Sequence, residues 1–105
     1  MATMTVPVIV TTEAAQQAAQ WGMEREFEQM IEHLQNHIAG LRSIEGYFDP
    51  GAPDAPDPGI VIVPILPLDR YDSERKTIAE DIFQWKTRTF PPEVCVNFCI
   101  TLGCE

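Results

Sequence analysis

Two histidines four residues apart, His33 and His37, come nearest to a reactive pair in this chain. On a helix, residues at that spacing stand on one side, and two imidazoles there can share a metal ion. Zinc proteases use this arrangement with a glutamate directly after the first histidine as general base. Here that position is Leu34, Glu32 points to another side of the helix, and a third ligand would have to come from elsewhere in the fold. His33 and His37 are therefore weak metal candidates, and polar histidines flanking an apolar helix face is their expected role.

The three cysteines invite a redox or metal reading that geometry opposes. If 93–102 is a strand rising about 3.3 Å per residue, Cys95 and Cys99 share a face but stand roughly 13 Å apart. That is too far for one disulfide or one tetrahedral ion. Cys104 has the opposite parity. The expected role is that of small, half-buried apolar residues, kept as free thiols in a reducing cytosol. Asp49, Asp54 and Asp57 lack EF-hand spacing and its closing glutamate, so they read as solvated loop charge. The chain carries no Gly-x-Gly-x-x-Gly, P-loop, Gly-x-Ser-x-Gly or Cys-x-x-Cys. No catalytic residue and no cofactor can be assigned.

The elements that would position these residues are organised around Gly59 to Leu68, the longest nearly unbroken apolar run. Four β-branched residues, Ile60 to Val63, stand together in it, as in a strand covered on both faces. Before it, Thr5 to Thr11 reads as a short strand interrupted at Pro7. Thr11 or Thr12 can cap a helix. From Met23, the residues Phe27, Met30, Ile31, Leu34, Ile38 and Leu41 follow steps of three and four along one face, until Gly40 offers a stop. Trp21 points away from that face, so either the helix bends at Gly22 or Trp21 meets a partner.

Arg42 to Phe48 reads as a second strand. A Pro/Asp-rich connection over 49–59 follows, expected to be mobile. After the central strand, Asp69 or Asp72 would cap a second helix with Tyr71, Ile78, Ile82 and Trp85 inward and Phe83 elsewhere. Glu93 to Leu102 shows the cleanest alternation, with Val94, Val96, Phe98, Ile100 and Leu102 on one face.

The order β-α-β-β-α-β predicts a ferredoxin-like α+β fold over a single domain, 1–105. It has a four-stranded antiparallel sheet, both helices on one face, and the first and third strands central. Pro7 and Pro64 argue against two of those central places.

The chain has 105 residues, 45% of them apolar, with 16 acidic and 7 basic side chains and a net charge of −9. This balance argues against nucleic acid or an anionic membrane as partner and permits a basic protein. No stretch approaches the roughly 20 apolar residues of a membrane helix, and Met1 to Val10 lacks the features of a signal peptide. A cytoplasmic protein is expected.

The Gly22-Met23-Glu24-Arg25-Glu26-Phe27 start of the first long helix, with the expected architecture, resembles the dimeric α+β barrel proteins, some of which are oxygenases. The likeness covers the first half of the chain and brings no catalytic residue with it.

Two functions follow. One is a non-catalytic interaction or regulatory module, acting as a homodimer or as a subunit of a complex. The sheet face away from the helices would supply the contact through Cys95, Asn97, Cys99 and Thr101, with Trp21 as a further contact. The other is a small enzyme or ligand binder with a pocket at the sheet or at a dimer seam, for which a site shared by His33, His37 and Tyr47 would speak. The empty motif search favours the first.

Overall fold

A computed structural model describes residues 6–51 and 58–105. The chain runs β1 (Val8–Val10), α1 (Thr12–Gln20), α2 (Glu24–His37), β2 (Ser43–Asp49), β3 (Gly59–Leu66), α3 (Leu68–Thr89), α4 (Pro92–Cys95), β4 (Phe98–Ile100) and β5 (Gly103–Cys104). Most of the Pro/Asp-rich connection over 49–59 lies outside the described residues, and so does the start of the first expected strand.

The fold is α+β, but the ferredoxin-like antiparallel sheet is not what forms. The strands lie in the order β1-β2-β3-β4, and β5 pairs with β3 beyond the end of β4. Only β2 and β3 are antiparallel; β1 runs parallel to β2, and β4 and β5 run parallel to β3. The centre is therefore β2 and β3 rather than the first and third strands.

Each helical crossover returns the chain to the neighbouring sheet position and leaves no gap for a strand to fill. Element order alone does not distinguish this from a crossover that skips a place. The difference lies in β1. It is three residues long because it begins only after Pro7, whose carbonyl accepts from the Ile44 N–H at 2.9 Å. So short a strand serves as an edge and not as a centre. The dimeric α+β barrel architecture, which is built on the ferredoxin-like arrangement, falls with it.

Pro64 nevertheless sits inside a central strand, and the sheet shows how. Even-numbered residues of β3 bond toward the outer strands: Thr101 N–H donates to the Ile62 carbonyl at 3.0 Å, and Glu105 N–H to Leu66 at 3.1 Å. Pro64, between them, has no N–H to give. Opposite it, the outer strand breaks into β4 and β5.

The first helical segment bends as one of the two readings allowed. Thr11 caps α1 by accepting from the Ala14 N–H at 3.2 Å. Gly22 then takes φ 68°, a conformation that suits a residue without Cβ, and α2 sets off anew. Phe27, Met30, Leu34, Ile38 and Leu41 are buried along the expected face. They pack with Ala14, Ala18, Ile82 and Val94 on Ile44, Ile60, Ile62, Leu66 and Phe98. The even-numbered faces of β2 and β3 thus meet the helices, while their odd-numbered faces do not.

Two further expectations change. Neither Asp69 nor Asp72 caps α3; its N-cap is Pro67 and Asp69 falls in the first turn. The long last strand over 93–102 is replaced by a helical turn and the three-residue β4, with β5 following beyond it. Pro92 is at the start of α4, where its fixed φ suits a first helical position. The turn keeps Val94 and Phe98 inside and sends Val96 out, 74% exposed.

Candidate functional site

Two surfaces concentrate the unusual features. The first is the sheet face opposite the helices. Cross-strand partners share a face, so the register gathers Ile9, Glu45 and Val63 in one row, Tyr47, Val61 and Cys99 in a second, and Ser43, Ile65 and Gly103 in a third. Ile9 is 61% exposed and Tyr47 43%. Val61, Val63 and Ile65 are half-buried by their neighbours and Cys99 is exposed. Glu45 is the one charged side chain in these rows, and Asp49, opposite Gly59, adds a second at the margin of the face.

The side chains expected at an interface do not all come together there. Cys99 lies on this face, and Thr101, exposed, follows it along the same edge. Cys95 belongs to α4, where its thiol donates to the carbonyls of Lys86 and Phe90 at 3.5 Å each. Asn97 is half-buried with its amide 3.4 Å from Met23 Sδ. The Trp21 ring is half-buried and meets Phe48 and Phe98 edge-on, at centroid distances of 6.4 and 6.2 Å.

The second surface is a groove of about 700 Å³ between α2 and α3. Ile38, Ile78 and Ile82 line it, and Arg70, Glu74, Asp81 and Arg88 project from α3. At one side three rings form a continuous stack. His33 lies flat against Trp85, with centroids 3.7 Å apart and planes 6° from parallel. His37 stacks on its other side at 4.0 Å and 20°. Phe90 meets Trp85 edge-on at 5.4 Å.

The two histidines therefore share a site, with their rings face to face instead of converging on a point between them. His37 Nδ1 lies 3.0 Å from the His33 carbonyl. Among the described residues, no three His, Cys, Asp or Glu side chains are grouped to hold a metal ion. Tyr47 belongs to the open sheet face, so it does not join the histidines.

Electrostatics in the groove follow from its neighbours. Burial, and then the His37 charge, lower the His33 pKa from its ordinary value. Arg70 Nε donates to Glu74 Oε2 at 2.8 Å. That bond raises the arginine pKa and lowers that of the carboxylate.

Trp85 was legible as an inward residue of α3, but its stack on His33 was not. The one signal is that His33 flanks the apolar face of α2 while Trp85 lies on that of α3, and pairing them requires knowing that α2 lies beside α3. Compared with known protein families, curated proteins and solved structures, the chain matches none. No helix among the described residues is long and apolar enough to cross a membrane.

Proposed function

We propose that the protein is a non-catalytic interaction module that works as a homodimer through the open face of its sheet. The observation that carries this reading is the run of Ile9, Tyr47, Val61, Val63, Ile65 and Cys99, with Glu45 the one charge within it and Asp49 at the margin of the face. Parallel strand pairs of the β1/β2 and β3/β4 kind are ordinarily covered on both faces. An exposed sheet face on a monomer this acidic would be expected to carry charge. Instead the charge, −9 in all, lies mostly elsewhere, so two like-charged copies meet with least repulsion here.

The strands cover a footprint of roughly 400 Å², at about 4.8 Å between strands and about 3.4 Å per residue. Two copies stacked face to face would bury about 800 Å² through the strands, so residues flanking them must join the seam to reach the roughly 1,000 Å² of a specific interface. A basic protein could still bind elsewhere on the acidic surface. The free thiols of Cys95, Cys99 and Cys104 suit a cytosolic setting.

Light scattering behind a sizing column tests the reading. The wild type should elute as a dimer at tens of micromolar, and Cys99→Arg, which places a charge in the seam, should be a folded monomer. A monomeric wild type would overturn it.

A second reading, a small-ligand site in the α2/α3 groove, is favoured by one observation. The apolar Ile38, Ile78 and Ile82 line it together with the half-buried His33, whose pKa is lowered by burial and by His37, a combination found at binding sites. Anilinonaphthalene sulfonate fluorescence that rises on binding and is lost in Ile78→Arg would support this use. No binding by the wild type would leave the dimer reading by itself.

A further inference from the structure

We propose that His33, His37 and Trp85 form an acid-sensitive clasp that holds α2 against α3, so that protonation widens the groove floored by Ile38, Ile78 and Ile82. Among the described residues, no hydrogen bond or ion pair joins α2 to α3. The rings make the specific connection: His33 from α2 lies on the Trp85 indole from α3 at 3.7 Å, and its planes are nearly parallel.

Little else holds α3 to α2, since the bonds of Lys86 and Cys95 tie its end to α4 and β4 instead. Over 22 residues only Ile82 is fully buried, while Tyr71, Ile78 and Trp85 are half-buried. Elements with so few buried contacts are the ones that open locally.

Charge decides the state of the clasp. When both imidazoles are neutral, the three rings stack as flat, uncharged plates. When both are protonated, two cations face each other at a ring separation of 4.0 Å, and His33 must carry its charge while covered on both sides. The Trp85 π-face attracts a cation, and the charged residues of α3 that line the groove are two acids, Glu74 and Asp81, and two bases, Arg70 and Arg88. Burial and His37 prevail in this sum, since the His33 pKa lies below its ordinary value. The clasp is therefore closed at neutral pH and strained in weak acid. It operates in the unliganded protein, and so it is tested apart from any use of the groove as a binding site.

NMR on the full chain between pH 8 and 5 follows the imidazole carbons, the Trp85 indole N–H and amide exchange along α2 and α3. His33 should titrate below 6.5. The Trp85 signal should shift with the same midpoint, and exchange in α3 should accelerate several-fold below it. His37→Gln removes the like charge and should raise the His33 midpoint. His33→Gln, which cannot be protonated, should leave Trp85 and α3 insensitive to pH in this range. A Trp85 signal and α3 exchange that stay flat while His33 titrates would overturn the clasp. So would a transition that survives unchanged in His33→Gln.

Discussion

Lys86 and Cys95 exchange hydrogen bonds across the joint between α3 and α4. The Lys86 ammonium donates to the Cys95 carbonyl at 3.4 Å, and the Cys95 thiol donates to the Lys86 carbonyl at 3.5 Å. The same ammonium reaches the Phe98 carbonyl at 2.8 Å. A half-buried charge thus ties the end of α3 to the first residue of β4, at the place where an alternating strand was expected. Lys86→Met keeps most of the apolar stem and removes the donor. It should lower the unfolding free energy by about 1–3 kcal/mol, the range for a charged hydrogen bond and the unpaired carbonyls it leaves. Cys95→Ala, which loses only a weak donor, should cost less. Urea denaturation of both variants measures this, and an unchanged midpoint in Lys86→Met would contradict it.

The parts of the fold that could be read in advance are those with redundant signals. The apolar face of α2 repeats over four turns, and Phe27, Met30, Leu34 and Ile38 are all buried. The central strand announced itself through Ile60 to Val63. The segment 93–102 misled because its apolar residues satisfy two patterns at once. Val94, Val96 and Phe98 alternate as in a strand, yet Val94 and Phe98 are also four apart, as on a helical turn. Pro91 and Pro92, which cannot continue α3, begin a new helical turn. The site was hidden for another reason: His33 and Trp85 are 52 positions apart in sequence (85 − 33), and which helix lies beside which depends on the crossovers. The His33–His37 spacing was visible, but what lies against it was not.

The competing patterns predict opposite costs at two neighbouring positions. Phe98 is 1% exposed and its ring meets Phe27 at 5.6 Å and Trp21 at 6.2 Å. Phe98→Ala should destabilise by about 3–5 kcal/mol, through lost burial and the cavity left behind. Val96, on the same side of a continuous strand but outside in the helical turn, should tolerate alanine within about 0.5 kcal/mol. Thermal or urea unfolding of the pair gives the comparison. A Val96→Ala cost approaching that of a core valine would restore the continuous strand.

Stability should fall in weak acid partly through His33. Its pKa lies below the ordinary 6.5 in the folded chain, first because of burial and then because of His37. Between the folded value and 6.5 the unfolded chain holds more protons, so unfolding free energy rises with pH in that window. The contribution is complete above pH 6.5 and is lost as pH falls through the folded value. Urea midpoints at pH 7.5 and 5.0 should differ less in His33→Gln than in the wild type. Equal differences would show that His33 takes no part.

Gly103 is the place where the open sheet face has no room for a larger residue. A Cβ there would stand 2.9 Å from both Val63 Cγ1 and Ile65 Cδ1. Its φ is not among the positive values, so alanine suits the backbone and the conflict is one of packing. Ile65 can swing its end methyl aside, but β-branched Val63 has few rotamers to choose from. Gly103→Ala should therefore cost about 1–3 kcal/mol, chiefly by displacing Val63. Val63 and Ile65 lie within the surface we propose as a dimer seam, so the displacement should also weaken self-association. Light scattering over a dilution series would then show the variant reaching monomer at a higher concentration than the wild type. A variant that is less stable yet dimerises as tightly as the wild type would move the seam away from these two side chains.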